Sequence, residues 1–362
     1  MISLIIYWLI LVFLIGACVG SFANVAISRL PLEKSLFWPG SRCGNCYQHI
    51  RWYDNLPLVS YLWLRGRCRT CGASFSIRYF LVELVTGLGF VGLFYLELIV
   101  NVHDWPILGN AWNIRNGFFP WQWWAGFAFH AILFSFLMVA SVCDLSGREI
   151  PAPLTLTGAV VGLVGAVVMP WPWPGTPAEA TPRPNGFGTE WLDGKIGQGI
   201  YPWPVWGPLP IFLTPGGNWQ TGLATGLAGF LVGTFLLRAV SFLFSKGLGK
   251  EALGLGDADL MMMAGCFLGW QPIVAAFFVS VVPGLFFGMF NLVVRKDDSL
   301  PYGPSLAAGL MITLLTWRWL GPYLQPLFFW GTLLLILAAI GAVFMLGSSY
   351  LLRIARSQPE SK

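Results

Sequence analysis

Charge is scarce in this chain. Only 10% of its 362 residues are Asp, Glu, Lys or Arg, against roughly 25% in an ordinary soluble domain, so a soluble globular protein is excluded. Histidine is scarcer still: His49, His103 and His130 are all there are. None has a motif around it, so no histidine-based triad is available, and a satisfied polar contact is the role expected of each. No glycine-rich loop follows a strand pattern, which removes the usual sequence mark of a nucleotide-type cofactor pocket. No repeat stands out at solenoid or propeller periods. Met1 to Ala26 lacks a basic leading segment and a convincing cleavage site, so a retained transmembrane helix is expected there rather than a removed signal.

What the chain has in plenty is apolar length. Hydrophobic residues make up 56%, and the mean hydropathy is +0.68. Runs long enough to span a bilayer, about 20 residues each, cover approximately 3 to 27, 79 to 101, 123 to 143, 152 to 170, 221 to 244, 272 to 294, 303 to 321 and 328 to 350, with a shorter one at 258 to 270. The fold expected is an all-α polytopic membrane protein of about nine transmembrane helices, the short run packed inside the bundle.

The net charge of +5 is not evidence for nucleic acid. The basic residues sit in short loops between apolar runs, where they set membrane orientation. Loop 28 to 78 carries Arg29, Lys34, Arg42, Arg51, Arg65, Arg67, Arg69 and Arg78 against Glu33 and Asp54, so it is expected on the cytoplasmic side and the N-terminus outside. Nine crossings then place Asp144, Asp257, the Arg295-Lys296 turn and the tail Arg353 to Lys362 on the cytoplasmic side. Segments 102 to 122 and 171 to 220 are rich in Trp, Pro and Gly, as in Trp171-Pro172-Trp173-Pro174. Proline prevents a regular helix and tryptophan favours the lipid interface, so partly ordered interfacial loops are expected.

Of seven cysteines, Cys18, Cys143 and Cys266 stand alone in apolar runs, where small buried hydrophobes are expected. The other four form Cys43-Gly-Asn-Cys46 and Cys68-Arg-Thr-Cys71, two CxxC pairs at zinc-ribbon spacing. A reducing compartment disfavours disulfides. Four thiolates close a tetrahedral site with no open position, so the zinc-ribbon-like loop 28 to 78 is expected to hold a structural Zn2+.

Two acids interrupt this apolar background. Asp144 ends the uncharged run Phe127 to Cys143, shortly before Ile150-Pro151, and Asp257 lies in Gly254-Leu255-Gly256-Asp257 at the start of another apolar run. Either alone reads equally well as a helix cap. Two carboxylates at membrane-helix ends, each beside residues that permit irregular backbone, point to function. Brought within a few ångströms they cannot both ionise, so one takes a proton from water while the other polarises a peptide carbonyl. That chemistry is aspartyl proteolysis.

These two motifs resemble the active-site motifs of the type IV prepilin peptidases. Gly20-Ser21-Phe22-Ala23-Asn24-Val25, Arg29-Leu30-Pro31, the cysteine tetrad, Asn55-Leu56-Pro57, Arg78-Tyr79 with Glu83, and Pro301-Tyr302-Gly303-Pro304 resemble further parts of the bifunctional members. The resemblance implies an inner-membrane enzyme that cleaves the basic leader of prepilins or type II secretion pseudopilins and then N-methylates the new amino terminus with S-adenosylmethionine. It implies Asp144 and Asp257 as the dyad, with Glu83 the candidate of the methyltransferase half. Residues 1–100 would form that half, 123–321 the peptidase core with the insertion 171–220, and 328–350 an additional helix. Asp259 departs from the family pattern, which has lysine there. Three rivals remain open: a peptidase that does not methylate, a proton-coupled transporter, which has no account of the cysteine loop, and a membrane-anchored zinc-ribbon adaptor without activity.

Overall fold

A computed structural model describes residues 2–103, 116–168, 219–248, 254–290, 293, 301–329 and 331–357. Most of the insertion 171 to 220, the Arg295-Lys296 turn and the end of the tail lie outside the described residues. The chain divides into two compact units, Met1–Pro151 and Ala152–Lys362.

In the first unit, α1 (Ile2–Arg29) packs along α3 (Ile77–Phe94), and α4 (Trp121–Leu145) packs on both. Small residues let α1 and α3 approach. A Cβ on Gly16 would sit 2.9 Å from Phe90, and one on Gly20 would sit 2.8 Å from the Glu83 Cα. Gly16 and Gly20 are four apart on one helical face, the small-xxx-small spacing of membrane helix pairs, where dispersion rather than hydrophobicity drives contact. At the end of this pair away from the cysteine loop, Trp8 meets Trp124 at 4.8 Å between ring centres and Phe94 meets Phe127 at 5.8 Å. Between α1 and α3 the chain has only short helical turns, Leu30–Leu32, Trp52–Asn55 and α2 (Val59–Trp63).

In the second unit, α5 (Ala152–Val168), α6 (Trp219–Leu248) and α10 (Gly303–Phe329) surround α7 (Leu255–Leu268), which continues into α8 (Trp270–Val279) and α9 (Val281–Phe290); α11 (Gly331–Ser357) packs on α6. Every residue of α7 from Asp257 onward is buried except Asp259. An apolar helix buried all round belongs inside a bundle, as expected for the 258 to 270 run. At 14 residues it is about 21 Å long, short of a bilayer core. Gly229 of α6 faces Gly265 of α7, and a Cβ on Gly229 would lie 2.0 Å from the Gly265 carbonyl oxygen. Backbone cannot move aside as a side chain can. Gly229→Ala is therefore expected to cost about 1–3 kcal/mol of stability, read as a lowered thermal unfolding midpoint in detergent; an unchanged midpoint would contradict the close approach.

Among the described residues, six helical stretches are long and apolar enough to cross a membrane: Leu4–Leu32, Ile77–Ile99, Trp123–Leu145, Gly222–Gly247, Trp270–Met289 and Thr332–Leu351. The all-α polytopic class is thus as expected, but α5, α7 and α10 do not reach that criterion. The break expected between 321 and 328 is also displaced. Helix α10 continues through Gly321-Pro322 to Phe329, and α11 begins at Gly331, because membrane helices tolerate proline where neighbours satisfy the freed backbone groups. Of the three lone cysteines, Cys143 and Cys266 are buried as expected, but Cys18 is exposed.

Candidate functional sites

The cysteine loop is built twice on one plan. In the first turn the Cys43 N–H donates to the Gln48 carbonyl at 3.0 Å and the Tyr47 N–H to the Cys43 carbonyl at 2.9 Å. In the second, Cys68 N–H donates to Ala73 at 2.8 Å and Gly72 N–H to Cys68 at 2.9 Å. Tyr47 (φ 56°) and Gly72 (φ 72°) hold the same left-handed position in the two turns. Single antiparallel bridges, Arg42 with His49 and Arg67 with Ser74, close each turn. Asp54 clamps the second turn by accepting from Arg69 Nε at 2.9 and 3.0 Å and from its Nη2 at 2.6 Å.

These turns bring the four sulfurs to within 4.8 Å of one another. Cys43 and Cys71 are 3.7 Å apart, and Cys46 and Cys68 4.0 Å. A tetrahedron with Zn–S near 2.3 Å has S···S edges of about 3.8 Å, far from the ~2.05 Å of a disulfide. The donor set therefore fits zinc. Backbone N–H groups favour the thiolate form: that of Ala73, with the Asn45 side chain, lowers the Cys71 thiol to about 6. Those of Cys46 and Asn45 lower Cys43. At Cys46 the Gln48 N–H acts the same way, but burial and hydrogen bonds to the other three thiols outweigh it and push Cys46 up to about 11. Crowded sulfurs cannot all ionise without a cation among them.

Glu83 lies where α3 crosses Gly20 of α1. Its Oε2 accepts the Leu58 N–H at 2.8 Å, and the Ser21 side chain also bonds it. Leu58 has φ 61° and ψ −49°, and the Val59 N–H closes on the Pro57 carbonyl at 2.6 Å. That is a γ-turn of the rare positive-φ form, strained for any side-chain-bearing residue. The Glu83 carboxylate holds its amide. Nearby, Asn24 Nδ2 donates to the Tyr79 carbonyl at 2.9 Å, while the buried Asn24 Oδ1 has no hydrogen-bond partner.

The two aspartates sit at opposite kinds of helix end. Asp144 is in the last turn of α4. The Arg148 N–H donates to Cys143 at 3.1 Å and the Gly147 N–H to Asp144 at 2.9 Å, with Gly147 at φ 66°, the Schellman arrangement. Gly147 thus terminates the helix, and Asp144 adds negative charge where the macrodipole disfavours it. Asp144 therefore does not stand at an N-cap position. Arginines gather at the same end: Arg78 Nη1 donates to Ser146 at 3.2 Å and Arg148 Nη1 to the Ile27 carbonyl at 3.3 Å.

Asp257 lies in the first turn of α7, three residues after the N-cap Gly254, whose cap makes no side-chain hydrogen bond. Only 8% of Asp257 is exposed. The positive end of the α7 dipole lies at this position, and a Cβ on Gly254 would come no nearer than 3.9 Å to its Oδ2. Asp259 points elsewhere and pairs with Arg238 of α6 at 3.2 Å, a partly exposed contact worth about 0–1 kcal/mol.

Tyr302, noticed in the sequence only as part of a helix-start motif, is a neighbour that sequence reasoning left without a role. Its hydroxyl is 2.9 Å from the buried Ser280 hydroxyl, and burial, with the Asp257 charge, pushes its phenol up. The Pro-Tyr-Gly-Pro run was the only signal for it.

The fold and these sites define a polytopic helical membrane protein with a four-thiolate zinc-type loop in one unit and a carboxylate at the head of a fully enclosed helix in the other. Residues 14–96 match the bacterial peptidase A24 N-terminal domain, and residues 200–289 the type IV leader peptidase family. The chain belongs to the type IV prepilin leader peptidase family. It is 30% identical to the prepilin leader peptidase/N-methyltransferase of Pectobacterium carotovorum, over 84% of this chain and 91% of that protein. It is 28% identical to the protein of the same name from Myxococcus xanthus, over 90% of this chain and 76% of that one. It is also 28% identical to a type 4 prepilin-like proteins leader peptide-processing enzyme of Escherichia coli, over 86% and 93%. No solved structure matches.

Proposed function

We infer that this chain is a prepilin leader peptidase and N-methyltransferase of the inner membrane. The observation that carries this is collinearity: both family domains occur in order, within a chain that aligns along 91% of a relative named for both activities. Asp144 and Asp257 are the proposed peptidase dyad, one as base on water and the other as acid on the scissile carbonyl. Their substrates are prepilins or type II secretion pseudopilins. In this reading α5, α7 and α10 join the six apolar stretches above to make nine crossings, with the N-terminus outside and both aspartates at the cytoplasmic face, where a basic leader lies. The first 100 residues carry methyl transfer, residues 123–321 the peptidase, and 328–350 an additional helix. Zn2+ on Cys43, Cys46, Cys68 and Cys71 folds the loop and does no chemistry.

S-adenosylmethionine supplies the methyl group. Glu83 is the acid suited to hold its cationic part or the incoming amine, and the bare Asn24 Oδ1 is a second acceptor nearby. Incubating purified protein with a prepilin and labelled S-adenosylmethionine is expected to give cleavage followed by label on the new amino terminus. Cleavage without label would refute the methyltransferase half. In Glu83→Gln, methyl transfer should fall on the order of 10²-fold, with cleavage within about twofold of wild type by the same measure. Equal loss of both would remove Glu83 from a specific role.

A further inference from the structure

The helix α3 does not end where its α-helical hydrogen bonding does. It runs into a π-helical turn, Tyr95–Ile99, that carries Glu97. Such turns are rare and concentrate at functional sites. Asn101 then takes φ 55°, and the Val102 N–H reaches back to the Leu96 carbonyl at 3.0 Å, which folds His103 over the turn. His103 Nε2 lies 3.3 Å from Glu97 Oε1, and His130 Nδ1 of α4 lies 2.8 Å from the same oxygen. The polar contact expected of His103 and His130 is present, but it is larger than a contact. All three residues are buried, Glu97 completely, and their ligand atoms lie within 4.8 Å of one another.

A hydrogen-bonded trio alone leaves two things unexplained. Both imidazoles converge on one carboxylate oxygen, while the buried Glu97 Oε2 has no hydrogen-bond partner. A carboxylate buried this completely also calls for a counter-charge beside it, because a bare ion there is costly. We propose that Glu97, His103 and His130 form a second divalent-metal site, of the zinc class, at the end of α3 opposite the cysteine loop. Two imidazole nitrogens and a carboxylate are a common zinc donor set, with the fourth position left to water. With bonds near 2.05 Å the ligand-to-ligand edges are about 3.3 Å, against 3.3 Å from His103 Nε2 and 2.8 Å from His130 Nδ1 to Oε1. The ion would take the carboxylate through Oε1 with the bare Oε2 free to turn toward it, balance the charge and tie the π-turn to α4.

The test uses the full chain, stripped of metal in detergent and titrated with Co2+. The wild type is expected to bind two equivalents. One brings thiolate-to-metal charge transfer from the cysteine loop; the other brings only the weaker d–d absorption of a nitrogen and oxygen site. Glu97→Gln, which keeps size and hydrogen bonding, and His130→Gln should each lose the second equivalent and keep the first, whose thiolate signal shows that the variant is folded. A wild type that binds a single equivalent, or a second equivalent that persists in both variants, overturns the proposal and leaves a hydrogen-bond network.

Discussion

Asp257→Asn and Asp144→Asn are each expected to lower prepilin cleavage by on the order of 10³-fold, at normal abundance and with methylation of a pre-cleaved substrate retained. Positioned acid and base groups contribute about 10²–10⁴-fold each, and an amide can do neither job. The substitution is close to isosteric. At Asp257 it replaces a buried carboxylate at a helix start where the open Gly254 side leaves room; at Asp144 it removes a charge that the end of α4 does not favour. Neither change should unfold its unit. The readout is the rate of leader release by gel mobility, with expression checked by immunoblot. Retained cleavage in either variant would mean that the paired-carboxylate chemistry is wrong for this chain.

Cys68→Ser is expected to act differently, lowering the amount of folded protein several-fold while changing cleavage per folded molecule much less. Cys43 is the one buried apolar side chain of loop 28 to 78, so apolar packing cannot hold the two turns together and a bound metal is expected to add to the Asp54–Arg69 clamp. Structural zinc sites supply about 10–16 kcal/mol of apparent binding free energy, which in such loops is folding free energy. Chelation should reproduce the variant. The disordered loop would also release Leu58 from Glu83, so methyl transfer should decline with it. Abundance in the membrane fraction and protease resistance of the loop are the measurements. Normal abundance with lost cleavage would contradict a folding role.

The parts of this architecture legible in the sequence are those set by local composition. Apolar runs located α1, α3, α4 and α6, because length and hydropathy need no partner. The cysteine spacing located the four-thiol loop, because CxxC puts two sulfurs on one turn. Gly254 and Asp257 announced a helix start for the same reason. What escaped depends on partners distant in sequence. The strained Leu58 turn exists because Glu83, 25 residues on, accepts its N–H. Asp259 looked like an unexplained acid until Arg238, 21 residues earlier, was found beside it. His103 and His130 had no motif because their common partner, Glu97, is brought to them by a π-turn that no residue pattern marks.

One comparison tests the dyad most directly: cleavage rates of Asp144→Asn, Asp257→Asn and the double variant on the same prepilin. Groups that act as one unit are grossly non-additive. The account predicts that the double variant is no slower than either single one, all at the same residual rate. Losses that multiply, or a single variant that still cleaves at the wild-type rate, would show that Asp144 and Asp257 do not work as a pair.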